Sequence, residues 1–187
     1  MSIPSSLLAP ESITFEGAIE LTQSLLSLIE ADSLRDSYAS RLLEAEIEQA
    51  VTSLVKTQNG ARGFFVTYLT DDSLVADRPS PGVVEALRSA PEIVAELLVK
   101  NVAMSSAMVL HHSRHQNQEM AASSARVQER SRNLIEMLQL PACQTVASQM
   151  LASVQNASGE YEEFFRRWGY DEEQRRAIGA AVRSAIG

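Results

Sequence analysis

The sequence has few cysteines, histidines and lysines for its 187 residues. Cys143 has no second cysteine for an internal disulfide, which is typical of a protein in the reducing cytosol, so we expect a cytoplasmic protein. Of the 16 basic residues only Lys56 and Lys100 are lysines, and the net charge is −8. Because phosphate contacts need clustered cations, this charge argues against nucleic-acid binding.

Long apolar runs and catalytic motifs are also absent. The start, MSIPSSLLAP, has neither the basic residues nor the apolar core of a signal peptide. The most apolar window, residues 93–110, contains Glu96, Lys100 and Asn101, so we expect no membrane span. No dinucleotide-binding glycine motif, P-loop, Gly-x-Ser-x-Gly or His-Glu-x-x-His occurs, so the sequence leans away from an enzyme.

Strand patterns are scarce as well. Only residues 63–70, GFFVTYLT, have strand composition, and no second segment could pair with them, so we interpret them as a buried helix. Elsewhere apolar residues recur at spacings of three and four. The sequence therefore predicts an all-α bundle of six to eight helices, forming a single domain over residues 14–187 after a flexible tail, residues 1–13.

Stop and start signals divide this bundle. Asn59-Gly60 indicates the end of the second helix, which Asp32 or Ser33 would cap. Ser80-Pro81 opens a short helix after an acidic loop that lacks calcium-loop spacing. Further helices are predicted at 14–31, 141–156, 160–168 and 171–185, the last with a capping signature at Asp171 and Gln174.

The central stretch between Pro91 and Pro141 contains no further proline and no glycine. As one straight helix it would be about 74 Å long, whereas a compact chain of this length is only about 40 Å across. It is therefore either one long protruding helix or a broken pair. Its apolar face is interrupted, and Ser113 with Gln116 has the form of a capping box, so we favour a break within 112–124.

The three histidines all lie in this stretch. His111 and His115 share a helix face, Glu119 continues the row, and His112 shares another face with His115. These four residues are candidates for binding zinc, iron or a tetrapyrrole. A single helix supplies three ligands only with strain, however, so we predict no metal and no cofactor, and a surface patch is the simpler interpretation.

Two clusters are candidates for a protein interface. The segment 111–132 is locally positive and could dock on the acidic first 59 residues of a second copy, through Arg114, Arg126, Arg130 and Arg132. The C-terminal cluster is either the core of a helical hairpin or a partner-binding anchor, and it comprises Phe164, Phe165, Trp168 and Tyr170. Cys143, at a predicted helix N-terminus, is the best nucleophile candidate, although a buried small side chain is its commoner role.

Residues 60–72, GARGFFVTYLTDD, and 101–114, NVAMSSAMVLHHSR, resemble a small all-helical family of unknown function from cyanobacteria. The resemblance implies a cytoplasmic setting and work around the photosynthetic apparatus, and it supplies no activity or site residue. From the residues themselves we expect a non-enzymatic interaction or scaffold protein that acts through a protein partner as a homodimer. The alternative is a ligand-binding bundle that holds a tetrapyrrole or metal through the His111–His115 cluster.

Overall fold

The computed structural model describes residues 7–32, 37–156 and 158–187, and these residues form nine α-helices and no strand. The predicted all-α class is confirmed, with slightly more helices than the six to eight expected. In chain order the helices are α1 Phe15–Asp32, α2 Ser37–Val55, α3 Gln58–Thr70, α4 Pro81–Arg88, α5 Pro91–Arg114, α6 Gln118–Leu138, α7 Pro141–Asn156, α8 Glu162–Trp168 and α9 Glu172–Ile186. Asp32 lies in α1, and Ser33 lies outside the described residues.

The chain divides into two compact units, unit 1 over Met1–Leu97 and unit 2 over Leu98–Gly187. The single domain over residues 14–187 stays a prediction. In the described part of the predicted tail, Leu7 and Ile13 are buried. The amide of Ala9 donates to Ser53 Oγ at 2.9 Å, which attaches this segment to α2.

In unit 1, α1 packs on α3, and α2 packs on α3 and α4. The prediction that Asn59-Gly60 ends a helix is wrong, because both residues lie in the first turn of α3. Thr57 caps this helix, and its Oγ1 accepts from the amide of Gly60 at 3.0 Å. A Cβ at Gly60 would lie 2.0 Å from the Leu54 carbonyl oxygen, so glycine permits a close backbone approach here.

The interpretation of residues 63–70 as a buried helix is confirmed, since they form most of α3. Phe64, Phe65 and Tyr68 are almost fully buried. The Phe64 and Tyr68 rings stack with centroids 5.0 Å apart, and the Tyr68 hydroxyl donates to the Val75 carbonyl oxygen at 3.2 Å. An aromatic core of this kind explains the strand-like composition, because helix burial on this face requires the same large apolar side chains.

The short helix α4 begins where the Ser80-Pro81 signal predicted. The Glu44 carboxylate, on α2, accepts from Ser80 Oγ at 2.8 Å and from the amide of Gly82 at 2.6 Å. A side chain from one helix thus meets unsatisfied donors at the N-terminus of the other, where a negative charge is favoured.

Among the described helices, α5 is long and apolar enough to cross a membrane by length and composition. Half of its most apolar 18-residue window is buried. A core helix passes the same test, so this is weak evidence for a membrane span. With 24 residues the helix is about 36 Å long.

In unit 2, α9 packs on α6 and α7. The capping box at the start of α9 is confirmed, because Asp171 Oδ1 accepts from the Gln174 amide at 2.8 Å and Gln174 Oε1 accepts from the Asp171 amide at 3.1 Å. The buried apolar residues include Leu134, Ile135, Leu138, Val146, Ala147, Met150, Phe165, Ile178 and Val182.

Candidate functional site

The predicted break in the central stretch is confirmed and falls between α5 and α6. Gln116 has a left-handed backbone, with φ of 56°. The Asn117 amide donates to the His112 carbonyl oxygen at 2.9 Å, and the Gln116 amide donates to the Ser113 carbonyl oxygen at 3.1 Å. These paired bonds are the Schellman arrangement that satisfies the last carbonyls of a helix.

The residues that make the break differ from those predicted. Ser113 does not cap a new helix; its Oγ donates to the Val109 carbonyl oxygen at 2.7 Å within α5. Asn117 caps α6 instead, accepting from the amide of Met120 at 3.1 Å. The capping-box interpretation is therefore wrong, because Gln116 ends one helix rather than completing the cap of the next.

This corner changes the histidine row. Glu119 lies beyond the break in α6, so it no longer continues the helical row of His111 and His115. The His111 and His115 rings have centroids 4.4 Å apart, while His112 meets His111 edge-on at 5.4 Å. Within the described residues, no group of three or more histidine, cysteine or carboxylate side chains is arranged to hold a metal ion.

The four candidate arginines of segment 111–132 do not form one exposed surface, because some are paired within the chain and others are buried. Arg114 donates to the carboxylates of Asp171 and Glu173, and its guanidinium holds the pKa of Asp171 below its usual range. Arg130 is only 2 % exposed, so a partner could not reach it without opening the fold.

Arg132 donates to Glu129 at 2.6 Å, whereas Arg126 is half-buried. Much of the positive charge of this segment is therefore compensated within the chain or buried. A contact surface over 112–132 stays a prediction.

Cys143 lies in the first turn of α7, where a helix dipole would favour a thiolate. Its side chain is buried, however, and burial raises the pKa of the thiol to about 11. The residue is therefore a neutral thiol at physiological pH, which disfavours it as a nucleophile.

The C-terminal aromatic cluster separates into core and surface residues. Phe165 and Tyr170 are buried and Phe164 is half-buried; the centroid of the Phe164 ring lies 5.5 Å from that of Phe165 and 6.0 Å from that of Tyr170. Burial raises the pKa of Tyr170 to about 12. Lys100 Nζ lies 5.7 Å from the ring centroids of both Tyr161 and Phe164. These aromatic residues stabilise the fold of unit 2.

Trp168 is the exception, with 52 % of its surface exposed. It is the last residue of α8, which Gly169 ends in a left-handed conformation with φ of 64°. Arg166 and Arg167 precede it on the surface; Arg166 has a loose 4.0 Å pair with Glu163, and Arg167 has no ion-pair partner among the described residues. The result is an exposed indole that follows two exposed arginines in sequence, and we call these three residues the α8 anchor (Arg166–Trp168).

In unit 1, an open groove of about 750 Å³ runs between α1 and the segment that precedes it. We call it the α1 groove; it is lined by Leu7, Leu8, Pro10, Ser12, Ile13, Thr14, Gly17, Glu20, Leu21, Ser24 and Leu28. Glu20 lines it, and Glu16 is exposed one turn earlier on the same helix. Leu8 and Leu28 give it an exposed apolar surface. The sequence interpretation missed this groove because residues 1–13 were expected to be a flexible tail.

Comparison with known proteins gives one result. Residues 14–185 match the model of a protein family described as uncharacterised conserved protein UCP020893. No curated protein and no solved structure matches the chain.

Proposed function

The chain belongs to this uncharacterised family, whose description names no activity, and we therefore propose from the structure that it is a non-enzymatic helical interaction protein that forms a homodimer. The proposal includes a cytoplasmic setting, and the cyanobacterial origin implied by the sequence resemblance stays a prediction. The observation that carries it is the exposure of Trp168 at the end of α8, directly after the exposed Arg166 and Arg167 in sequence.

Exposed tryptophan and arginine side chains are common in protein interfaces. Trp and Arg are enriched among the residues that dominate binding energy. Because Trp168 is 52 % exposed, association can remove about half of the roughly 150–250 Å² that full burial of an aromatic side chain removes from water, and the indole can still donate its N–H at the interface. Because Phe165 and Tyr170 hold α8 in place from the buried side, the anchor would be presented by a fixed helix, which lowers the entropic cost of association.

We propose that the α8 anchor of one copy binds the α1 groove of a second copy. The groove offers leucine side chains for the indole, and its volume of about 750 Å³ is ample for one aromatic side chain. The acidic Glu16 and Glu20 would lie near Arg166 and Arg167, which gives the pair of surfaces opposite charge. If this contact is made twice about a two-fold axis, the assembly closes as a dimer.

The alternative function, a bundle that holds a tetrapyrrole, has less support. A tetrapyrrole needs an apolar cavity next to its axial ligand. His111 and His115 are exposed, and no histidine lines the α1 groove. We therefore keep self-association as the proposed function.

Substitution of Trp168 by alanine is expected to weaken each of the two contacts of the dimer about thirtyfold, because truncating a central aromatic anchor costs about 2 kcal/mol or more per contact. The measurement is the molar mass in solution by light scattering over a range of protein concentrations. The matched control is Leu74→Ala, which removes an apolar side chain that is 70 % exposed on a loop and should leave the molar mass unchanged. A monomeric native protein at every concentration, or equal effects of the two variants, would refute the proposal.

The charge part of the proposal has its own test. The double substitution of Arg166 and Arg167 by glutamate should weaken the dimer, and so should the double substitution of Glu16 and Glu20 by arginine. In a mixture, the heterodimer pairs a native anchor with a native groove in one contact and the two reversed surfaces in the other, so both contacts regain opposite charge and the mixture should give more dimer than either variant alone. Arg176→Glu, which changes another exposed arginine in unit 2, should have little effect. Failure of the mixture to associate would contradict the pairing of these two surfaces.

A further inference from the structure

His111 and His115 lie together at the C-terminal end of α5. They are four residues apart, both are exposed, and their ring centroids are 4.4 Å apart. Two imidazoles at this spacing on one helix face can direct nitrogen atoms at a common point in solvent. The Schellman corner at Gln116 fixes the backbone directly after them, so both rings stand on an ordered turn.

The hydrogen bond of His115 determines which of its nitrogens is available. Its Nδ1 lies 2.8 Å from the carbonyl oxygen of His111. A carbonyl oxygen can only accept, so Nδ1 carries the proton, and the neutral ring presents the lone pair of Nε2. Metal-binding histidines typically have this arrangement, in which a carbonyl or carboxylate holds the nitrogen that does not bind the metal.

The local charge also favours a cation. The end of α5 carries the negative pole of the helix dipole. Arg114 is the nearest arginine in sequence, but it bonds both Asp171 and Glu173, so these three groups together have a net negative charge.

We propose that His111 and His115 chelate a borderline divalent transition-metal ion, such as Zn²⁺ or Cu²⁺, at the end of α5. Neutral imidazole is a preferred ligand of these ions, and Cu²⁺ is expected to bind more tightly than Zn²⁺ at a nitrogen site. No third protein ligand is arranged nearby among the described residues, so water completes the coordination. This site is independent of the α8 anchor and of the dimer proposed above.

The test is calorimetric titration of the full-length protein with ZnCl₂. We expect one Zn²⁺ per chain, and a loss of affinity of about tenfold or more in His111→Ala and in His115→Ala, since each removes one of two protein ligands. His112→Ala is the matched control, because it removes a neighbouring, half-buried imidazole that meets His111 edge-on and leaves the pair His111 and His115 intact. Circular dichroism would verify that all three variants keep their helix content.

A second readout identifies the ligands directly. Electron paramagnetic resonance of the protein loaded with one equivalent of Cu²⁺ should show two imidazole nitrogens in the native chain. It should show one in His111→Ala and in His115→Ala, and two in His112→Ala. Absence of Zn²⁺ binding by the native protein would overturn the proposal. Equal loss in all three variants would overturn it as well.

Discussion

Gly63→Ala is expected to lower the free energy of unfolding of the protein by about 2–3 kcal/mol, the cost typical of overpacking a well-packed contact. Gly63 lies where α3 packs on α1. A Cβ at this position would lie 2.4 Å from the Cβ of Ala18 and 2.9 Å from the carbonyl oxygen of Phe15. Because one of these atoms belongs to the backbone of α1, a side-chain rotation cannot relieve the overlap, and the two helices must move apart.

The matched control for Gly63→Ala is Gly17→Ala, which makes the same change in α1. A Cβ at Gly17 would lie 3.2 Å from Thr14 Oγ1 and 3.6 Å from Ile13 Cγ1. Alanine has a helix propensity about 1 kcal/mol better than glycine, so the slight crowding is offset and the net change should stay within about 1 kcal/mol. Urea denaturation followed by circular dichroism compares the two variants. Equal stability of both would contradict the close approach of α1 and α3.

Phe165→Ala should have the largest effect on unit 2, about 3–5 kcal/mol. The ring is fully buried, and the guanidinium carbon of Arg175 lies 5.2 Å from its centroid. Arg175 also donates to Glu162 at 2.9 and 3.0 Å and to the Tyr170 carbonyl oxygen at 3.3 Å. Removing the ring would leave a cavity and one face of this arginine without its aromatic contact.

Trp168→Ala provides the contrast, because it removes an even larger aromatic side chain three residues away. With half of its surface already exposed, its loss should cost the isolated monomer less than about 1 kcal/mol. Thermal unfolding at a concentration where the protein is monomeric compares the two variants. If Trp168→Ala destabilised the monomer as much as Phe165→Ala, the indole would be part of the core and the α8 anchor would not exist.

Local signals were sufficient for most helix boundaries. Pro81 and Pro141 begin helices because a missing amide proton costs nothing in a first turn, and the Asp171–Gln174 capping box is complete within four residues. Gly60 was misinterpreted for a non-local reason. The need for glycine there comes from the carbonyl of Leu54 at the end of α2, and composition alone cannot distinguish a glycine required by close packing from one required by a left-handed turn.

Which candidate residues are exposed depended on tertiary structure more than the helix boundaries did. The sequence placed Phe165 and Trp168 in one aromatic cluster, and only the packing of α8 separates a buried ring from an exposed one. Arg114 was predicted to contact a partner protein, yet it donates to the carboxylates of Asp171 and Glu173, which are more than fifty residues away in the same chain. Pairing over such distances follows from the fold of unit 2, so periodicity within α5 could not reveal it.

The central claim is that Trp168 becomes buried in a second copy, and its fluorescence tests this most directly because it is the only tryptophan in the chain. The emission spectrum would be recorded over a dilution series, with the molar mass measured by light scattering at the same concentrations. We predict that the emission maximum shifts to shorter wavelength as the molar mass rises from monomer to dimer, with one common midpoint. An emission maximum that stays constant while the molar mass doubles would place the interface elsewhere, and a molar mass that never exceeds the monomer would contradict self-association itself.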